Sequence, residues 1–339
     1  MAIKKKTAVI IGGVAAVALV AGGITAAVLG SNSSAEATPA AESAAATAGG
    51  AEGGTVEFNL GPDQDRVRLD EVPEAVAAIE ASGFEPIEAG KLTVVVSPYV
   101  APLGLYADDD TTLIGNETDI AQLIADGLGL ELNLQPAAWA DWPLGIQSGK
   151  YDLITSNVTV TEERKDLYDF ASYREDLLGF YVKADSEIEE IAEAKDVAGL
   201  KVVVGSGTNQ EKILQTWDEE NIKAGLDPVE YQYFDDDAAA TLAVQSGRAD
   251  ATFGPNATSA YKAAENGETK LVGTFNGGYP ENAEIAAGTL KDNGLIEGVS
   301  IALNAAIDGG EYAEVLERWG LTSEAIDEST VNPAGLPRE

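Results

Sequence analysis

The chain has 339 residues, 45% of them hydrophobic, enough apolar content for two domains with cores of their own. Its 21 basic and 57 acidic residues give a formal net charge of -36, a field that repels phosphate backbones and anionic headgroups and so argues against nucleic acid or a polybasic membrane patch. With neither Cys nor His in the chain, thiol nucleophiles, disulfides, Ser-His-Asp catalysis and most zinc chemistry are removed.

Lys4, Lys5 and Lys6 precede an uncharged stretch from Thr7 to Gly30, long enough to span a bilayer. Residues 1–30 therefore read as a membrane anchor, or as an export signal with a small-residue cleavage site at Ala35-Glu36-Ala37. Ser31 stands at the lipidated position of a lipoprotein-like box but cannot carry a thioether lipid. Either way the folded part is expected outside the cytoplasm, on the cell surface or secreted, and any membrane contact is expected through this segment alone. Residues 31–55 are almost wholly Ala, Ser, Thr, Gly and Glu, the composition of a disordered linker. Residues 56–90 are expected to form an N-terminal extension packed on a first lobe, with a helix over Asp70 to Ser82.

From Lys91 onward strands and helices alternate. Lys91 to Val96 is a buried strand, the segment from Thr118 has helical spacing, Leu130 to Leu134 alternates as a strand, and a short helix after Trp139 leads to a strand at Tyr151 to Ile154. Lys201 to Gly205 precedes a helix from Asn209 to Glu220, and a helical run ending at Gly247 precedes a strand at Ala249 to Phe253. Alternation of this kind implies sheets covered by helices in two successive α/β units. The acid clusters at Asp108 to Asp110 and Asp235 to Asp237 read as a hairpin turn and a helix entry, since no calcium-loop spacing accompanies them. No metal or cofactor is expected.

The segment from Asp152 to Phe170 concentrates anion-binding chemistry. Ser156 and Asn157 break a short strand, and Thr161 reads as the N-cap of a helix running to Phe170, with Arg164 in its first turn. A helix N-terminus favours an anion, and the guanidinium fork of Arg164 matches a carboxylate through two hydrogen bonds. Ser156, Asn157, Thr159 and Thr161 supply polar groups beside it. In the second unit Thr208 and Glu211 have capping-box spacing after the flexible turn of Ser206 and Gly207.

The order of these pieces resembles the type II periplasmic substrate-binding proteins of polar amino-acid ABC transporters, the bacterial solute-binding proteins of family 3. The matching segments are GNETDIA at 115–121, Trp139 followed by IQSGKYDLI, TSNVTVTEERKDLYDF, GSGTNQE at 205–211, VQSGRADATFG at 244–254 and EYAEVLERWGL at 311–321. The resemblance implies a two-lobed α/β fold with mixed, mostly parallel sheets flanked by helices and joined by a two-strand hinge. The first lobe is expected at 91–183, the second at 184–280, and a return to the first lobe with a C-terminal tail at 281–339.

It also implies the roles of the site residues. Arg164 would hold a ligand carboxylate with Ser156, Asn157, Thr159 and Thr161, and the turn of Ser206, Gly207 and Thr208 would add donors when the cleft shuts. Tyr99 falls near the place where the family's binding aromatics lie, although the segment around it departs from the usual aromatic-rich pattern, and Trp139 aligns with a frequent family tryptophan; either could contact the ligand or equally pack in a core. Trp217 and Trp319 sit on helix patterns and read as core. Where the family usually has an aspartate for the ligand ammonium, this chain has Pro255 followed by Asn256. A free ammonium would then need another acid, with Glu117 and Asp141 as candidates, or the ligand would carry no primary ammonium and Asn256 would accept from a neutral nitrogen. The expected function is that of the substrate-binding component of an ABC importer, a monomer and not an enzyme, delivering an amino acid or related zwitterion to a permease and its ATPase. The alternative is an enzyme on the same fold, similar to cyclohexadienyl dehydratase, which would need a carboxylic acid placed for proton transfer.

Overall fold

The computed structural model of the protein describes residues 58–338 apart from Val100 and Asp235, together with the backbone of two short strands before them. Those strands, β1 (Val9–Ile10) and β2 (Thr55–Val56), pair antiparallel. The rest of the expected anchor or signal and of the linker lies outside the described residues. Among the described residues no helix is long and apolar enough to cross a membrane.

The first sheet contains β3 (Lys91–Val96), β6 (Glu131–Pro136), β7 (Leu153–Thr159), β8 (Tyr168–Glu175) and β14 (Glu284–Leu290), in the order β6-β3-β7-β14-β8. Parallel ladders join β3 to β6 and β7, while β14 runs antiparallel to β7 and β8. Helices cover both faces, so Val94, Val95 and Val96 are all fully buried in β3 and the strand reads as a continuous apolar run. Helix α2 (Asn116–Gly127) turns Ile120, Leu123 and Ile124 inward, and α7 (Ile296–Gly309) does the same with Val299, Ala302 and Leu303. Helix α1 (Pro73–Ser82), with proline in its first turn and Gly83 in the left-handed region at its end, packs Ala75 and Ile79 on the same core. Phe58, Leu60, Val67 and Leu69 of the preceding extension join it. The acid-rich turn of 108–110 connects a ribbon of β4 (Leu105–Tyr106) and β5 (Leu113–Ile114), where Asp109 accepts the amides of Thr111 and Thr112.

The second sheet has the order β11-β10-β12-β9-β13, formed by β9 (Leu177–Lys183), β10 (Lys201–Val204), β11 (Glu230–Gln232), β12 (Ala251–Pro255) and β13 (Thr269–Asn276). Alternation turns Phe180 and Phe253 onto one face, where their rings stack at 3.9 Å, and Phe275 meets Phe180 edge-on. Trp217 of α4 (Asn209–Ala224) closes this cluster, each large apolar side chain contributing about 2–3 kcal/mol by leaving water. Helices α5 (Asp237–Gln245) and α6 (Asn256–Asn266) complete the lobe, the first capped by Asp236 through the Ala239 amide.

Two crossings join the sheets. Asp176 alone separates β8 from β9, and residues 277–283 return the chain from β13 to β14. Leu177–Lys183 therefore belongs to the second sheet, one strand earlier than the expected boundary at 183/184. Its pairing with both β12 and β13, each distant in sequence, is what assigns it there.

The expected helix from Thr161 to Phe170 does not form. Only Arg164–Asp166 makes a 3-10 turn, and the chain from Tyr168 onward is strand β8. Pairing with β14 overrides the local helical composition, because it buries Tyr168, Phe170 and Tyr173. After α8 (Glu311–Arg318) the chain passes back across the first lobe, where Val331 bridges antiparallel to Ala171 and Leu336 parallel to Thr161.

Candidate functional site

The end of β7 and the turn after it carry Thr159, Thr161 and Arg164. The Thr161 hydroxyl accepts the Arg164 amide at 3.0 Å, which closes a tight turn and not an α-helix, so no helix N-terminus lies here. Arg164 Nη1 donates to the Thr159 carbonyl at 2.7 Å, and Nη2 to the Gly207 carbonyl of the second lobe at 3.4 Å. Its guanidinium carbon lies 5.6 Å from the Trp139 ring centroid and 6.0 Å from that of Trp142, the first residue of α3 (Trp142–Gln147). Two aromatic faces thus hold a cation whose burial pushes its pKa down to about 10, against the pull of Asp176 and Glu163. Arg164 remains charged at neutral pH.

The opposing turn forms with Thr208 as the expected N-cap, but Glu211 reaches the Gly207 amide and not the Thr208 amide that a full capping box would use. Thr208 caps α4 by accepting the Glu211 amide at 3.3 Å, and Gly207, at φ 70°, donates its amide to Glu211 Oε2 at 2.6 Å. That amide is therefore occupied, and the carbonyl of Gly207 is the group that meets Arg164. Ser206 is exposed beside it.

Between these turns stands Asp176, which the sequence did not single out. Its Oδ2 accepts from Thr159 Oγ1 at 2.5 Å in the first lobe and from Asn209 Nδ2 at 3.2 Å in the second. Asn209 also donates to the Gly277 carbonyl of the return crossing at 2.9 Å. Burial raises Asp176 to about 6, opposed by the Thr159 hydrogen bond and by Arg174 and Arg164. An acidic pair, Glu175-Asp176, interrupting two apolar strands was the signal that could have found it.

Several expected ligand groups have other partners. Ser156 accepts the Ser97 amide at 2.8 Å. Asn157, in the left-handed region at φ 53°, donates its amide to Glu117 Oε2 at 3.1 Å and accepts Arg174 Nη2 at 2.6 Å. Arg174 also pairs with Glu117 at 2.9 Å and with Glu324, and Tyr173 donates to Glu117. Glu117 is thereby committed inside the first lobe, and Asp141 is exposed on a 3-10 turn, so neither stands ready for a ligand ammonium. Glu324, buried against Arg174, is raised to about 7 because desolvation outweighs the guanidinium. Asn256 accepts the Tyr181 hydroxyl at 2.9 Å. Tyr99 is mostly exposed, its ring 5.8 Å from Lys262 of α6, and Lys262 pairs with Asp237 at 2.5 Å. Trp217 and Trp319 are core residues, the latter donating to Asp119 at 2.8 Å.

Further contacts join the lobes at the rim. Glu163 pairs with Lys212 of α4, and the Phe58 ring lies 5.4 Å from Tyr261 of the second lobe and 5.7 Å from Trp319 of the first.

The sequence profile of the bacterial extracellular solute-binding proteins, family 3, matches residues 92–322. The L-cystine-binding protein TcyJ of Escherichia coli (strain K12) is 33% identical over 165 residues, 48% of this chain and 58% of that protein, so the alignment spans little more than half of that relative's length. The arginine-binding protein ArgT of Corynebacterium glutamicum is 25% identical over 278 residues, 78% of this chain and 86% of ArgT. Among solved structures, an ancestral arginine-binding protein bound to arginine superposes with a TM-score of 0.60 at 28% identity, covering 68% of this chain and 98% of that one. An ancestral amino acid-binding protein, a precursor of cyclohexadienyl dehydratase, superposes at 0.58 with 25% identity, covering 68% and 95%. With two lobes, two crossings and a profile match over most of the described residues, the chain belongs to the bacterial extracellular solute-binding proteins of family 3.

Proposed function

We propose that this protein is the extracytoplasmic substrate-binding component of an ABC importer, capturing an amino acid or related carboxylate-bearing zwitterion between its lobes and delivering it to a permease and its ATPase. The observation that carries the reading is Arg164, a cation held by Trp139 and Trp142 at the point where the first lobe meets the Gly207 turn of the second. A ligand carboxylate would replace the neutral Gly207 carbonyl as partner of the guanidinium and gain charge-assisted bonds. Groups from both lobes would then act on one ligand, the condition for ligand-driven closure.

The ammonium half would fall to Asp176, since Pro255 offers no charge and Glu117 is committed to Arg174. Relatives named for cystine, arginine and glutamine fix the first probes. The test is a thermal-shift screen with L-cystine, L-arginine, L-glutamine, other amino acids, betaines and ectoine-like solutes, followed by titration of each hit, since a ligand that prefers the folded state raises the transition. A carboxylate-bearing compound should shift the midpoint in wild type, and much less at the same concentration in Arg164→Ala. A screen in which only compounds lacking a carboxylate respond would overturn the reading.

That the chain is not an enzyme is part of this proposal and is supported by membership of a binding-protein family. Turnover of prephenate or arogenate by the purified protein would replace it with the dehydratase alternative.

A further inference from the structure

The family match ends at residue 322, yet the chain beyond it is built into the turn that carries Arg164. Leu336 donates its amide to the Val160 carbonyl and accepts the Glu162 amide, both at 3.0 Å. Gly335 donates to Glu162 Oε1 at 3.2 Å, and Lys165 Nζ reaches that same oxygen at 2.8 Å and the Pro333 carbonyl at 3.0 Å. Arg338 Nη2 donates to the Glu162 carbonyl at 3.0 Å and to Asp166 at 2.6 Å. The backbones approach so closely that a Cβ on Gly335 would collide with the Val160 carbonyl and the Thr161 Cα. These contacts bracket Arg164 in sequence, on residues 160–162 before it and 165–166 after it.

Leu336 adds an independent link. Its side chain, 7% exposed, joins the apolar cluster whose other members, among them Leu178, Ile213, Trp217 and Phe275, belong to the second lobe. The tail is thus tied by its backbone to the first lobe and by one side chain to the second. A purely structural role, covering the exposed edge of β8, is filled earlier in the tail, where Val331 bridges Ala171 and Asn332 donates to the Phe170 carbonyl. Residues 333–338 have left that edge, and their polar contacts go to the turn.

We propose that residues 333–338 are a positioning element of the binding site, fixing the turn that aims Arg164 and tying it, through Leu336, to the second lobe when the lobes meet. The proposal rests on Arg164 as the carboxylate grip. A guanidinium already held in its binding geometry has less freedom to lose when the ligand arrives, whereas a loosened turn must be ordered at that moment.

The test uses the full chain, wild type against Gly335→Ala, Leu336→Ala and Arg338→Ala. Hydrogen exchange is followed without added ligand at the Arg164 and Lys165 amides, which bond to Thr161 and make no direct contact with the tail. Titrations use L-arginine, L-cystine and L-glutamine as probes, well below the thermal midpoint. Exchange at 164 and 165 should quicken about tenfold or more in Gly335→Ala and Leu336→Ala while β10 and β12 are unchanged, and any probe that binds wild type should bind about tenfold more weakly. Leu336→Ile should restore both. Unchanged exchange at 164 and 165, or faster exchange with probe affinity intact, would overturn the proposal and leave the tail a stability element only. If none of these three probes binds wild type, the wider screen decides the amino-acid reading, and the exchange data alone decide the role of the tail.

Discussion

Arg164 and Gly207 meet across the two lobes, the guanidinium donating to a backbone carbonyl 3.4 Å away at the mouth of α4. A cation facing a neutral acceptor between two aromatic rings is a site where an anion has more to gain than the group it displaces. Arg164→Ala should weaken binding of the amino acid found by the screen by about 2 kcal/mol or more, roughly 30-fold. Arg164→Lys should fall between, because an ammonium loses the planar fork. Calorimetric titration decides it, and unchanged affinity in the alanine variant removes Arg164 from the site.

Glu163 and Lys212 pair across the rim of the same turn, both substantially solvent-exposed. Such a pair is screened and contributes little, so Lys212→Ala should weaken ligand binding only about twofold at low salt and not measurably in high salt. A large effect that persists at high salt would mean that Lys212 touches the ligand.

Asp176 gives a pH signature whose sign is opposite to that of an ordinary paired carboxylate. Its folded pKa, about 6, lies above the unfolded reference near 3.8, so between those values the folded state binds more protons and its stability falls as pH rises. The contribution is fully present below the lower value and gone above the upper one. Asp176→Asn removes this dependence. Relative to wild type it should gain about 2–3 kcal/mol between pH 4 and pH 7, read as the difference in denaturation free energies. Parallel pH profiles for the two proteins would place the Asp176 titration elsewhere.

Arg174 holds Glu117, Glu324 and Asn157 together inside the first lobe. Removing one partner of a buried ionic cluster leaves uncompensated charge, so Arg174→Met should cost about 3–5 kcal/mol in urea denaturation at neutral pH. Adding Glu117→Gln and Glu324→Gln should recover part of that loss. A cost below about 1 kcal/mol for the single variant would show that the cluster is hydrated in solution.

Local signals that agree with their surroundings were legible without a structure. The valine run of β3, the Thr208 cap with Glu211 and the acid-rich hairpin at Asp109 formed where their residue types require. Residues 161–170 misled because an N-cap threonine followed by alternating acids and bases has helical composition, whereas its fate was set by pairing Tyr168–Glu175 with Glu284–Leu290, more than a hundred residues away. Leu177–Lys183 was assigned to the first lobe for the same reason, since an apolar strand carries no mark of which sheet will accept it. Glu117 and Asn157 looked available because nothing in their neighbourhood announces Arg174 or Glu324, and Asp176 went unremarked because its partners come from Thr159, Asn209 and the second crossing.

The sequence by itself determined the alternation of strands and helices, the acidic surface and the family, because these depend on residue type and short-range order. Tertiary structure alone decided which sheet receives β9, which acid stands between the lobes, and that the last residues of the described chain pack on the turn that carries Arg164. Those outcomes depend on desolvation and on contacts between segments far apart in sequence, whose free energy exists only once the chain has brought them together.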